Sequence, residues 1–187
     1  MAIGVYRTKT YLAGDWMGDS DAIQQIMTWN DGNKWGLHFV DVHKYAQCYD
    51  TSMPCTIKDS LRDRMNVSKK FVLIVGDSTK TTRKGSCAYK DCGNKMYDIW
   101  YNTYTCKVIG KTYNTQSFIE YECELAHKAW LRGELEIIVL YNANSVNRSK
   151  CPDILRGIGR HEFMKSWNPI WNKYTFDYQR VRKAIEG

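Results

Sequence analysis

Two stretches, Phe71 to Gly76 (FVLIVG) and Leu135 to Tyr141 (LEIIVLY), are nearly continuous runs of apolar, strand-forming residues. A strand with one wet face alternates apolar and polar side chains, whereas a run without alternation must be covered on both faces. Such strands need helices on either side, and the chain supplies them in alternation. Lys9 to Ala13 (KTYLA) reads as a strand ending at Gly14-Asp15. Gly18-Asp19-Ser20 then offers caps for a helix from Asp21 to Asn30, whose apolar face is Ala22, Ile23, Ile26 and Met27. Gly32 stops it, and Trp35 to Val42 (WGLHFVDV) gives a second strand ending near Asp41. After Pro54, Ile57, Leu61 and Met65 recur at helical spacing within Thr56 to Met65.

The order strand, helix, strand, helix, strand, insert, helix, strand predicts an α/β fold: an open parallel sheet with helices on both faces and an insert before the fourth helix-strand unit. With 187 residues and 43% hydrophobic content, the chain is long enough to close this as a single domain over 1–187. The insert, about 79–115, has no clean period and holds Cys87, Cys92, Cys106, Tyr97, Trp100, Tyr101 and Tyr104. That length suggests a lid or small hairpin. In the C-terminal basic section, about 143–187, Pro152 to Leu155 suggests a short helix, Arg160 to Met164 a fifth strand and Asp177 to Glu186 a last helix. No internal repeat is expected.

The helix Ser117 to Arg132 carries the strongest functional signal. Ser117 and Glu120 form a capping-box pattern, Glu124 and Lys128 an exposed i,i+4 pair. Phe118, Ile119, Leu125, Ala126, Ala129 and Trp130 gather on one side, and Glu122 falls among them. A carboxylate there must find hydrogen-bond partners, stay protonated or face a cleft. Ligands of open α/β sheets bind beyond the carboxyl ends of the strands, where Gly14, Asp15, Asp41, Asp77 and Asn142 are expected.

Other chemistries fit less well. The first strand offers one acid where a phospho-accepting receiver domain with Asp77 would need a pair, and Gly14 and Gly18 form neither G-x-G-x-x-G nor a phosphate loop. Cys87, Cys92 and Cys106, with Cys48 and Cys55, lack a C-x-x-C pair, so reduced thiols are expected rather than zinc. The four histidines, His38, His43, His127 and His161, form no pairing with a nucleophile. The C-terminal section carries +5 of the formal net charge of +7. With Trp167, Trp171, Tyr174 and Tyr178 it supports a nucleic-acid-binding domain as a third reading.

The element order, FVLIVGDST and the F-x-x-x-E pattern of Phe118 and Glu122 opening a helix that leads into LEIIVLYN together resemble the TIR-like domains. The resemblance covers roughly Lys9 to Asn142, and in particular the chain resembles the bacterial branch containing the signalling subunit of the Thoeris antiphage system. It implies a flavodoxin-like fold and NAD as substrate, with no separate cofactor and no metal. Cleavage would yield ADP-ribose or a cyclic ADP-ribose isomer, with Glu122 catalytic. Phe118 stands where the family commonly has tryptophan, and Ala13, Gly14 and Asp15 would lie near the ligand, with Asp41 and Asp77 at the neighbouring strand ends. The resemblance further implies a homo-oligomer and a downstream effector protein sensing the product. The alternative is a non-catalytic TIR-like protein-interaction module. With no apolar span, no signal-like N-terminus and cysteines expected to be reduced, a cytoplasmic location without a membrane partner is expected.

Overall fold

The structure is a computed structural model that describes residues 8–32, 37, 39–41, 53–87, 93–107 and 112–187, with Thr8, Val40 and Asp41 described by their backbone alone. Its centre is a five-stranded parallel sheet of β1 (Thr8–Ala13), β2 (Phe39–Asp41), β3 (Lys70–Val75), β6 (Glu136–Tyr141) and β7 (Arg160–Phe163), in the order β2-β1-β3-β6-β7. This is the 2-1-3-4-5 order of flavodoxin-like folds, with its switch point between β1 and β3. The candidate fifth strand is thus β7, which pairs in parallel with β6 from Ile138↔Arg160 to Tyr141↔Phe163. Of the expected second strand, Leu37 and β2 fall within the described residues.

The two apolar runs are covered on both faces because their side chains alternate between two cores. Tyr11, Ala13, Phe71, Leu73, Val75, Ile137, Val139 and Tyr141 point to one layer, with α2 (Pro54–Asn66) and α3 (Phe118–Leu131). Leu12, Val72, Ile74, Ile138 and Leu140 point to the other, with α1 (Ser20–Asp31) and α4 (Tyr178–Glu186). Pro54 is not a residue before α2 but its first helical position, where its missing N–H costs nothing. In α3 the capping box forms as expected: Ser117 N donates to Glu120 Oε2 at 2.7 Å and Glu120 N to Ser117 Oγ at 3.2 Å. The buried stripe is Ile119, Glu122, Cys123, Ala126 and Ala129, while Trp130 is exposed, so the face is turned away from the expected Trp130 edge and toward Cys123.

The insert contains a hairpin, β4 (Lys95–Asp98) with β5 (Thr103–Cys106), and the C-terminal section contains a second, β8 (Lys165–Asn168) with β9 (Lys173–Phe176). The two repeat each other, contrary to expectation. Each pairs its strands in the same register, Lys95↔Cys106 and Lys165↔Phe176, with an aromatic pair inside, Tyr97↔Tyr104 and Trp167↔Tyr174. In each an Asx side chain opens the loop: Asp98 Oδ1 accepts from the Trp100 and Tyr101 N–H groups, Asn168 Oδ1 from those of Ile170 and Trp171. In each an asparagine closes it in the left-handed region, Asn102 at φ 47° and Asn172 at φ 48°. Both follow a sheet strand, β3 or β7, and so leave from the carboxyl edge. Their tips, Ile99, Trp100, Tyr101, Ile170 and Trp171, are exposed.

Candidate functional site

At the switch point a cleft of about 160 Å³ opens between the loop after β1, helices α2 and α3, and the loop after β3. Its rim is Gly14, Asp15, Trp16, Thr82 and Lys84; Ile57, Leu61 and Arg64 descend along α2, and Phe118, Ile119 and Glu122 along α3.

Glu122 is 6% exposed. The period of β1 sends Tyr11 and Ala13 to the α2–α3 face, and the fully buried Tyr11 hydroxyl donates to Glu122 Oε1 at 2.5 Å. Two of the options posed by an acid on an apolar face therefore coexist: Glu122 has a hydrogen-bond partner and lines a cleft. Phe118 is held at the mouth from both sides of the chain. Its N–H donates to Lys84 O at 2.8 Å, and Gly85 packs so closely that a Cβ there would lie 2.4 Å from the ring. Gly85 also adopts φ +92°, which a side chain would resist.

Asp15 is fixed by Ser78 Oγ, which donates to Oδ2 at 2.6 Å, and by Met17 N, which donates to Oδ1 at 3.1 Å. Partial burial works to raise its pKa, but these bonds and one from the Gly18 N–H prevail and hold the carboxyl below its ordinary value. Ala13, buried at the end of β1, leads into the rim without lining it. Asp77 sits outside the cleft lining, on the surface, where an ion pair with Lys150 holds its carboxyl low. Asp41 closes β2 opposite Thr10, and its side chain lies outside the described residues. Asn142 joins a different group. Its Nδ2 donates to Asp19 Oδ1 at 3.0 Å and Asp21 Oδ1 at 2.9 Å.

Tyr11, Trp16, Arg64, Thr82 and Lys84 join the site without a signal read from the sequence, and Ile57 and Leu61, expected only as an apolar helical stripe, line it too. For Arg64 the signal was present: it lies three residues after Leu61 and seven after Ile57, a charge on an apolar helical stripe like Glu122. Cys55, Cys87 and Cys106 are buried free thiols; Cys48 and Cys92, like His38 and His43, lie outside the described residues. His127 stacks on Trp130 at the surface, and His161 Nδ1 shares a 2.9 Å hydrogen bond with Tyr141, away from the cleft.

A 2-1-3-4-5 parallel sheet between two helical layers, with a cleft at its switch point, makes this a flavodoxin-like α/β domain, a fold consistent with that of TIR-like proteins. The family model of the Thoeris protein ThsB, TIR-like domain, matches residues 11–84. The match runs from Tyr11 to Lys84, one side of the cleft, and ends before the helix of Glu122. It supports a role in defence or signalling. No curated protein matches the chain in sequence.

Proposed function

We propose that the cleft binds NAD and that Glu122 promotes loss of nicotinamide, giving ADP-ribose or a cyclic isomer as a signal in antiphage defence. The observation that supports this most is the position of Glu122, nearly buried, oriented by Tyr11 and lining the same cleft as Gly14, Asp15 and Phe118.

The bond that breaks joins the anomeric carbon of the ribose to the positively charged ring nitrogen, and its electron pair returns to that nitrogen. Nicotinamide leaves neutral, so no general acid is needed. The sugar passes through an oxocarbenium-like state, which a fixed carboxylate in a partly dry cleft stabilises. The Tyr11 hydroxyl keeps the carboxylate in one orientation, so little reorganisation is required as charge develops. Attack by water and loss of a proton gives ADP-ribose; attack by a hydroxyl or ring nitrogen of the same molecule gives a cyclic product.

The purified protein is expected to release nicotinamide from NAD, and Glu122→Gln to lower the rate by about 10²-fold or more, the scale of losing one electrostatic stabiliser. Equal turnover by the variant would remove Glu122 from the chemistry. A second reading, a non-catalytic interaction module, draws on the five exposed apolar residues at the hairpin tips. It expects NAD to survive under conditions that promote assembly.

A further inference from the structure

Arg64 is 7% exposed, lines the cleft and has no hydrogen-bond or ion-pair partner among the described residues for its side chain; its Nε is fully enclosed. A guanidinium keeps its charge at any accessible pH, so unlike a buried lysine it cannot escape the cost of burial by losing a proton. Buried polar groups without partners are rare, and one that borders a cavity points to a group that occupies the cavity. The position of Arg64 on α2 adds direction. From Ile57 to Arg64 the cleft wall descends about 10 Å at 1.5 Å per residue, and side chains on a helix lean toward its N-terminus, here toward the mouth. Arg64 lines the same cleft as Leu61 and Glu122.

We infer that Arg64 is the anion-recognition residue of this cleft and that the ligand presents an oxyanion to it, a phosphate of a nucleotide or a carboxylate on its base. Planar guanidinium donors match either group in a two-bond fork. Glu122 supplies the opposite charge in the same cleft, so the pair selects a ligand that is cationic or hydroxyl-bearing at one point and anionic at another. The inference deepens the reading of the cleft as a nucleotide site and rests on that reading for the identity of the ligand, though not for the binding of an anion.

The test uses thermal melting and calorimetric titration of the full chain with inorganic pyrophosphate, ADP-ribose, nicotinic acid and, as neutral control, nicotinamide. The wild-type protein is expected to be stabilised by pyrophosphate and ADP-ribose if the oxyanion is a phosphate, or by nicotinic acid if it is a carboxylate. Arg64→Met is expected to weaken that binding at least tenfold while melting no lower than wild type without ligand, because it removes an unpartnered buried charge. Arg64→Lys, which keeps the charge but not the fork, is expected to fall between. Wild-type protein that binds none of the three anions, or Arg64→Met that melts lower or binds them undiminished, overturns the inference. If Arg64→Met does not fold, wild type and Arg64→Lys decide: equal affinities for the anions overturn it. Arg64-dependent anion binding without nicotinamide release would leave the inference standing and defeat the catalytic reading; release with Arg64-independent binding would do the reverse.

Discussion

Asp15 and Asp19 stand four residues apart after β1, and their carboxyls are driven in opposite directions. Asp19 is 2% exposed, and burial raises its pKa above the ordinary 3.8, with Asp15 and Asp21 adding repulsion; hydrogen bonds from Asn142 and Thr79 oppose the shift without cancelling it. A carboxyl with a raised pKa binds its proton more tightly folded than unfolded. The stability it contributes is present below 3.8 and is lost as pH rises through the folded value. Asp19→Asn is therefore expected to gain stability relative to wild type as pH rises from about 4 toward neutrality, measured as the difference between chemical-denaturation midpoints across that range. A constant difference would mean that Asp19 is not penalised by ionisation. Residue-scale features were partly legible: Glu122 and Arg64 are both charges on apolar stripes. Tyr11 was not, because a tyrosine within KTYLA looks like any strand residue until the helix opposite it is known.

Elements were readable where burial imposes a period. The runs 71–76 and 135–141 announced β3 and β6, and Ser117 and Glu120 fixed the start of α3 to within one residue. The cap holds Phe118 and Glu122 at the cleft as well as starting the helix. Ser117→Ala is expected to cost about 1 kcal/mol of unfolding free energy, read from denaturant midpoints, the usual cost of an N-cap. A loss below a few tenths would mean that Glu120 alone satisfies the first turn. For the insert a hairpin is one of the two forms its length suggests, but its strands, like the unexpected pair β8 and β9, could not be placed, for the opposite reason. With little burial they carry no clear alternation, and their order rests on cross-strand aromatic pairs and turn asparagines. In hindsight YDIWYNTYTC and WNPIWNKYTF place Asx, tryptophan and left-handed asparagine in near-identical order.

At the scale of the molecule, the C-terminal section that looked like a separate basic patch is tied into the carboxyl edge. Lys150 pairs with Asp77, Lys165 with Asp21 at 3.3 Å, and Asp153 with Lys80 at 2.8 Å. Arg180 engages Glu162, and Arg160 donates to the carbonyls of Lys183 and Ala184. Much of the positive charge is thus answered locally, which weakens the case for a nucleic-acid surface. No sequence pattern could show these pairs, since each joins residues more than fifteen positions apart. That the sheet is parallel was legible from the alternation of strands with helices and from two apolar runs; the strand order, and the cleft where β1, α2 and α3 meet at the switch point, were not. Among the described residues no helix is long and apolar enough to cross a membrane. On the proposed reading this cleft holds the nicotinamide ribose of NAD against Glu122. The most direct measurement is a structure of the Glu122→Gln protein with NAD. The anomeric carbon is expected within about 4 Å of the side chain at position 122, close to van der Waals contact, with the cleft between α2 and α3 filled. NAD seated elsewhere, or the cleft empty at saturating NAD, would contradict it.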